Sequence, residues 1–182
     1  MTKIIVVNEE RCLGCKSCVI ECAVAHSHAK DLVEALRAGE PLQARVHVEP
    51  FKDFGMPLQC RHCEDAPCLA ICPTEAIHRP VENGPVLIDA ERCIGCKFCV
   101  VVCPFGVIDL SKDGKATVKC DLCIERTEVG EEPACVAACP TGALEFCDLD
   151  EWLKRRRKAA TKKISVAVEQ ATRIVTETGN DG

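Results

Sequence analysis

The stretch ERCLGCKSCVIEC, residues 10–22, carries the strongest pattern in the chain, and it returns as ERCIGCKFCVVVC at residues 91–103. The two copies share nine of thirteen residues at an offset of 81. A second echo links APCLAICPTEAI at residues 66–77 with PACVAACPTGAL at residues 133–144. Because internal repetition sets the architecture, the sequence predicts a duplicated cysteine-rich unit with different insertions.

Sixteen of the seventeen cysteines fall into four groups of four. The groups are Cys12, Cys15, Cys18 and Cys22 (C-x2-C-x2-C-x3-C); Cys60, Cys63, Cys68 and Cys72 (C-x2-C-x4-C-x3-C-P); Cys93, Cys96, Cys99 and Cys103 (C-x2-C-x2-C-x3-C-P); and Cys120, Cys123, Cys135 and Cys139 (C-x2-C-x11-C-x3-C-P). Only Cys147 is left over, and we expect it to be a small buried side chain in the last strand.

The spacing within each group points to iron–sulfur chemistry. In the first and third groups, three cysteines at i, i+3 and i+6 wrap a tight loop whose thiolates converge on one side, which suits three corners of an iron–sulfur cube. We expect the fourth Cys to start a short helix that leads away, and the proline after it to direct the chain out of the loop. Four-cysteine zinc sites are the alternative, but zinc ribbons usually have two pairs separated by a longer loop.

In bacterial runs of this type the fourth Cys ligates the other cluster of the pair. This cross-over rule predicts four ligand sets: Cys12, Cys15, Cys18 and Cys139; Cys120, Cys123, Cys135 and Cys22; Cys60, Cys63, Cys68 and Cys103; and Cys93, Cys96, Cys99 and Cys72. The fold class is then α+β, with two nested ferredoxin-like (βαβ) modules around four clusters. We expect an outer module of residues 1–22 and 104–147, an insertion at 23–59, an inner module at 60–103, and a C-terminal helical arm at 148–182.

Short β-branched runs give the predicted strands, which are residues 4–7, 86–88, 107–110, 116–118 and 144–147. The SKDG sequence between the third and fourth of these runs is a hairpin signal. The insertion predicts a helix up to Ala38, a break at residues 39–41, a strand at 46–48, and an irregular loop through Gly55 and Pro57. Within the second cysteine group, His62 is either an ordinary surface or structural residue or a hydrogen-bonding partner near a cluster.

The C-terminal part differs from the rest. Asp148, with Glu151 three residues later, predicts a helix N-cap, and no Pro or Gly interrupts residues 149–175. The residues of one apolar stripe recur at helical spacing: Ala160, Ile164, Val168, Ala171 and Val175. The helix would pack on its own domain or dock on a partner or a second copy through residues 149–175. Nucleic-acid binding is not expected, because the net charge is −5 and no aromatics interleave the basic run at 154–158.

The longest run without a charged side chain is twelve residues, 133–144, whereas a membrane helix needs roughly 18 apolar residues. The first residues, MTKIIVVNEE, contain no apolar signal segment. We therefore expect a cytoplasmic protein without a membrane span, in a compartment where cysteines persist as thiols or metal ligands. Since there is no Gly-rich dinucleotide loop, we expect no nicotinamide or flavin chemistry on this chain.

The four spacings, their nested order and the stretch QCRHCEDAPCLAICPTEAI at residues 59–77 resemble the four-cluster iron–sulfur electron-transfer subunits of the dimethyl-sulfoxide-reductase type. The resemblance covers residues 3–147. ECAVAHSH at residues 21–28 is most similar to the soluble members associated with carbon monoxide dehydrogenase and to the small subunit of tungsten aldehyde oxidoreductases.

This resemblance implies an electron-transfer subunit rather than an enzyme. It would carry four [4Fe-4S] clusters, because Cys96 is present where some members have Trp. It would relay electrons between a second redox partner and a catalytic subunit of carbon monoxide dehydrogenase, aldehyde oxidoreductase, formate dehydrogenase or hydrogenase type, with the cluster of Cys12, Cys15, Cys18 and Cys139 nearest that subunit. The alternative is a scaffold that polymerises through its C-terminal helix while conducting electrons.

Overall fold

The structure, a computed structural model, describes residues 2–51 and 54–178, and side chains up to residue 170. It is a mixed α and β fold, as predicted, of short elements followed by one helix of 30 residues. The strands are β1 (Lys3–Val7), β2 (Val46–Phe51), β3 (Phe54–Gln59), β4 (Ile77–His78), β5 (Leu87–Ile88), β6 (Asp109–Leu110), β7 (Thr117–Val118) and β8 (Leu144–Asp148). The helices are α1 (Ser17–Ala25), α2 (Leu32–Arg37), α3 (Pro67–Ala70), α4 (Phe98–Val102), α5 (Ile124–Thr127), α6 (Ala134–Ala137) and α7 (Leu149–Thr178).

The strands pair into two-stranded sheets, β1 with β8, β2 with β3, β4 with β5, and β6 with β7. The last three pairs are antiparallel, with Ile77 opposite Ile88 and Leu110 opposite Thr117. The predicted SKDG hairpin is the β6–β7 connection, so that prediction is confirmed. The pairing of β1 with β8 joins the two ends of the cysteine-rich region.

The irregular loop expected through Gly55 and Pro57 is wrong, because these residues lie in β3. This strand pairs with β2 in a register that sets Pro57 opposite Val48 and Gly55 opposite Pro50. Proline and glycine weaken a central strand, but a proline is tolerated on a sheet edge, where its missing N–H costs no ladder bond. In a two-stranded sheet both strands are edges, so composition alone misled the prediction.

Cysteines make up much of the interior. One buried cluster combines Ile5, Val46, Leu122, Val136 and Leu144 with Cys18, Cys22, Cys120 and Cys135. A second combines Ala66, Ile77, Val86 and Ile108 with Cys68 and Cys99. With five Phe, one Trp and no Tyr in the chain, large aromatic side chains do not supply this core. The buried volume is instead organised around thiols.

The described residues divide into two compact units, one within residues 4–146 and one of residues 2–3 with 147–178. In the second unit Asp148 caps α7, accepting the backbone N–H of Asp150 at 3.0 Å and of Glu151 at 3.2 Å, which confirms the predicted cap. The stripe residues Ile164 and Val168 are exposed; the side chains of Ala171 and Val175 lie outside the described residues. No described helix combines the length and apolar character needed to cross a membrane.

Candidate metal centres

All four cysteine groups share one backbone turn. The residue before the second Cys has a left-handed conformation in each group: Gly14 (φ 66°), His62 (φ 48°), Gly95 (φ 66°) and Leu122 (φ 61°). The third residue after the fourth Cys is also left-handed in the three groups that contain C-P: Glu75, Gly106 and Gly142. Such conformations are uncommon for residues other than glycine, so at His62 and Leu122 the surrounding structure imposes the turn.

Short helices connect the third Cys of each group to the fourth. Cys18 and Cys22 both lie on α1, whereas Cys103 is the residue at which α4 ends. The expectation that the fourth Cys starts a helix is therefore wrong. A proline disfavours helical conformation in the residue before it, so in the groups with a C-P dipeptide the helix ends at the fourth Cys or just before it, with α3 ending at Ala70 and α6 at Ala137. In the first group Ala23 replaces the proline, and α1 continues to Ala25.

The structure places the thiols near one another in four groups, which we name after one member each: the Cys12 set (Cys12, Cys15, Cys18, Cys139), the Cys120 set (Cys120, Cys123, Cys135, Cys22), the Cys60 set (Cys60, Cys63, Cys68, Cys103) and the Cys93 set (Cys93, Cys96, Cys99, Cys72). The Cys60 set lines one cavity and the Cys93 set a second. In the Cys12 set, burial and the neighbouring thiols of Cys139, Cys15 and Cys12 raise the pKa of Cys18 to about 11. In the Cys120 set, burial and the thiols of Cys120, Cys22 and Cys123 raise the pKa of Cys135.

The raised pKa values of the buried thiols indicate that these sites need a bound cation. Burial is the main cause, and it raises the pKa of Cys120 to about 12 and that of Cys123 to about 11. Burying several thiolates together is unfavourable unless a cation compensates them. Four converging sulfurs around such a cation are the donor set of zinc or of an iron–sulfur cube. The chemistry of the donors therefore fits a metal centre.

Threonine hydroxyls lie beside several sulfurs of the four sets. Two of these threonines occupy the same position in the repeated C-P-T segment. In both C-P-T segments the hydroxyl lies near the preceding sulfur, with Thr74 at 3.9 Å from Cys72 and Thr141 at 3.8 Å from Cys139. Burial alone would raise the pKa of the Cys72 and Cys139 thiols. Hydrogen bonds from backbone N–H groups and from these hydroxyls outweigh burial and hold both pKa values below the ordinary value. The buried Thr117 hydroxyl lies 3.8 Å from the sulfur of Cys93 and 3.6 Å from that of Cys99.

A network that sequence reasoning missed surrounds Cys22. The backbone N–H of Arg45 donates to its sulfur at 3.2 Å, and His26 Nδ1 lies 3.8 Å from that sulfur. The Asp121 carboxylate pairs with His26 Nε2 at 3.1 Å, pairs with the Arg45 guanidinium, and accepts the Cys123 N–H at 2.9 Å. Burial opposes ionisation, but His26 and Arg45 hold the pKa of Asp121 well below its usual range. The network therefore contacts the sulfur of Cys22 and the backbone of Cys123, both in the Cys120 set.

Two side chains near Cys60, the buried Gln59 and the half-buried His62, have buried polar atoms without a protein partner among the described residues. These atoms are Nε2 and Oε1 of Gln59 and Nε2 of His62. His62 Nδ1 accepts the Val86 N–H at 3.0 Å, and burial together with the Lys119 charge lowers the pKa of His62 to about 3. The neutral ring therefore carries its proton on Nε2. A buried donor with no protein acceptor fits a site completed by a non-protein group with acceptor atoms, so His62 is not a plain surface residue.

Cys147 lies on β8 and belongs to none of the four sets. Its position in the last strand is as expected, but it is partly buried rather than buried. Leu144 is the one buried residue of this strand, and the four residues after it are all partly buried.

Comparisons with known proteins identify the metal group. The chain matches a family model described as "4Fe-4S dicluster domain" over residues 52–149 and one described as "4Fe-4S binding domain" over residues 9–25. It is 45% identical over 174 residues to the "Iron-sulfur protein" of Rhodospirillum rubrum, covering 89% of this chain and 90% of the relative.

Two further relatives are named as parts of reductases. The "Thiosulfate reductase electron transfer subunit PhsB" of Salmonella typhi is 40% identical, covering 79% of this chain and 74% of that protein. The B polypeptide of the anaerobic dimethyl sulfoxide reductase of Escherichia coli is 34% identical, covering 82% and 75% respectively. The chain therefore belongs to the 4Fe-4S dicluster family, as a non-catalytic iron–sulfur electron-transfer subunit of the dimethyl-sulfoxide-reductase type.

Proposed function

We propose that the chain holds four [4Fe-4S] clusters, one in each cysteine set, and relays single electrons between a catalytic oxidoreductase subunit and a second redox partner. The observation that carries the proposal is the gathering of sixteen thiols into four sets, each completed by a Cys from another motif. When bound, a cluster of this kind takes up and gives back electrons at a potential that its surroundings set. The protein's own contribution is to hold, space and shield the four sites.

Neighbouring thiols support a linear order of these sites. Burial and the other thiols of the Cys120 set are the main causes that raise the pKa of Cys135. Cys18 of the Cys12 set is close enough to raise it further. The pKa of Cys120 is raised mainly by burial and then by Cys22 and Asp121. Cys60 of the Cys60 set is close enough to raise it further. The Cys60 and Cys93 sets exchange their fourth members through α3 and α4. The proposed order is Cys12 set, Cys120 set, Cys60 set, Cys93 set.

The two ends of this order have exposed ligands. Cys15 of the first set and Cys96 of the last set are exposed, whereas the other fourteen set members are buried or partly buried. Each exposed thiol has an exposed apolar neighbour, Leu13 (74% exposed) beside Cys15 and Ile94 (67% exposed) beside Cys96. An electron relay needs access at both ends and shielding between them, and an apolar side chain at each end suits contact with a protein partner.

The two buried cores support the nested arrangement. The first contains cysteines of the first and fourth motifs and the second contains cysteines of the second and third. We therefore propose an outer module (1–22 and 104–147), an insertion (23–59), an inner module (60–103) and a helical arm (148–182). The catalytic partner would be of carbon monoxide dehydrogenase, aldehyde oxidoreductase, formate dehydrogenase or hydrogenase type. We place the relay in the cytoplasm, because a reducing compartment preserves thiolate ligands.

Replacing Cys22 by serine tests the ligand sets. In the proposed arrangement this variant loses a ligand of the Cys120 set although Cys22 belongs to the first motif. After anaerobic alkylation of the native variant and peptide mass spectrometry, Cys120, Cys123 and Cys135 should become reactive while Cys12 and Cys18 stay protected. Cys147→Ser, outside the four sets, should leave the pattern of the wild-type chain unchanged.

Reactivity of Cys12 and Cys18 in Cys22→Ser, with Cys123 and Cys135 still protected, would show that each motif holds its own cluster. Anaerobic purification of the tagged chain from its source, with identification of the proteins that travel with it, tests the partner. The proposal requires a catalytic oxidoreductase subunit among them.

A further inference from the structure

Lys119 is a buried cation. It is 4% exposed, and Gln59 and Thr117 are the other buried polar side chains among the described residues. Its ammonium donates to the carbonyl oxygen of Val86 and, at 3.1 Å, to that of Cys120. In the described part of the chain no carboxylate lies within salt-bridge distance of it. A charge removed from water is unfavourable unless another charge compensates it.

The position of this cation lies between two thiol sets. Lys119 directly precedes Cys120 in the sequence, and Val86, its other backbone partner, packs in the buried cluster that contains Cys68 and Cys99. Val86 also lines the cavity that Cys60, Cys63, Cys68 and Cys103 share, and its N–H donates at 3.0 Å to His62 Nδ1, in the loop between Cys60 and Cys63. The ammonium therefore lies where the backbone of the Cys60 site meets the backbone of the Cys120 set.

Four thiolates around a core of roughly +2 leave a net charge of about −2, which becomes about −3 on reduction. A fixed positive charge nearby stabilises the more negative state more strongly. In turn, a negative cluster at this site would supply the compensation that no carboxylate in the described part of the chain gives to Lys119.

We propose that Lys119 is a positioning residue for the relay, whose ammonium raises the midpoint potential of the cluster held by the Cys60 set and thereby favours electron arrival at the junction of the two middle sites. This inference rests on the proposed function, because it takes the Cys60 set as a ligand set. It adds a residue outside the cysteine motifs, with a defined direction of effect.

The test uses the full-length chain, prepared anaerobically, and redox titrations followed by electron paramagnetic resonance. The Cys60-set signal is identified as the one altered in Cys63→Ser. Lys119→Gln keeps N–H donors for the two carbonyls but removes the charge, Lys119→Met removes both, and Lys119→Arg keeps the charge. Lys112→Met, at an exposed position on the β6–β7 hairpin, is the control for the same change in net charge.

In Lys119→Gln and Lys119→Met, the ratio of reduced to oxidised Cys60-set cluster at a fixed potential should fall about tenfold or more, a downward midpoint shift of at least about 59 mV for one electron. Lys119→Arg and Lys112→Met should stay within about threefold of wild type. If both neutral variants keep their iron and all four midpoints, the inference is wrong while the proposed function stands. A wild-type chain without four cubane signals would overturn the proposed function itself, before any variant is compared, and this inference with it.

Loss of the cluster is also decisive. If Gln and Met variants lose the Cys60-set iron and the Arg variant retains it, the site requires the charge, as inferred. If the Arg variant loses it too, Lys119 acts by packing and the electrostatic inference is overturned.

Discussion

Replacing Gly55 by alanine tests whether the β2–β3 hairpin holds the Cys12 loop in place. A Cβ atom at Gly55 would lie 2.9 Å from Gly14 Cα, 2.9 Å from Val48 Cγ1 and 3.3 Å from the sulfur of Cys12. Contacts below 3.0 Å do not occur for real Cβ atoms, so part of the site must shift. Val48 can rotate, but Gly14 is backbone, and its left-handed turn links Cys12 to Cys15.

Overpacking of this kind costs about 1–3 kcal/mol. In a chain of this length, each kcal/mol lowers the midpoint of thermal unfolding by about 2–4 °C. Gly55→Ala should therefore lower the midpoint by several degrees at a fixed scan rate. It should also release iron from the Cys12 set first, because the displaced loop carries two of its ligands. The assays are anaerobic thermal melts and iron release to a chelator, followed over time.

Gly39→Ala is the matched control. A Cβ there meets nothing within 4 Å, although its φ is +66°, so the variant carries the conformational penalty of about 1–2 kcal/mol without touching a thiol. Its iron release should equal that of wild type. The reasoning is refuted if Gly55→Ala releases iron at the wild-type rate and melts at the wild-type temperature.

Three further predictions follow from the same sites. Thr117→Val removes the hydroxyl beside Cys93 and Cys99 and should lower the midpoint potential of the Cys93-set cluster, with Thr117→Ser restoring it; an unchanged potential in titrations would rule out this hydrogen bonding. Deleting residues 149–182 should leave iron content and cluster reduction unchanged, and loss of iron would contradict this prediction. A smaller assembly by gel filtration would favour the scaffold role of α7. Stripping iron anaerobically should abolish the cooperative thermal transition, because the cores are built around thiols; an apo chain that melts like the holo chain would contradict this.

The cysteine motifs can be read from the sequence because most of their spacings are local, at three or four residues, apart from five between Cys63 and Cys68 and twelve between Cys123 and Cys135. The assignment of each fourth thiol to another motif comes from the cross-over rule and stays a proposal. The residues around the thiols could not be predicted in this way. Arg45 meets Asp121 across 76 positions of sequence, and Lys119 meets Val86 across 33. No periodicity marks such pairs, since they exist only once the chain has folded.

The prediction for the residues of strand β3 was wrong for a related reason. Gly55 and Pro57 look like loop residues, yet Gly55 is the residue that permits close approach to the Cys12 loop. By contrast, the hydroxyls of Thr74 and Thr141 left a signal that could have been used. Both belong to the repeated C-P-T segment, and this repetition indicates a shared contact with the preceding sulfur.

The most direct test of the account is the metal content of the anaerobically purified, full-length chain, measured as iron and acid-labile sulfide per polypeptide and characterised by Mössbauer spectroscopy. Four cubane sites predict about sixteen irons and about sixteen sulfides per chain, with spectra of [4Fe-4S] centres alone. Zinc in the thiol sets, or far fewer irons and sulfides in protein that was never exposed to oxygen, would contradict it.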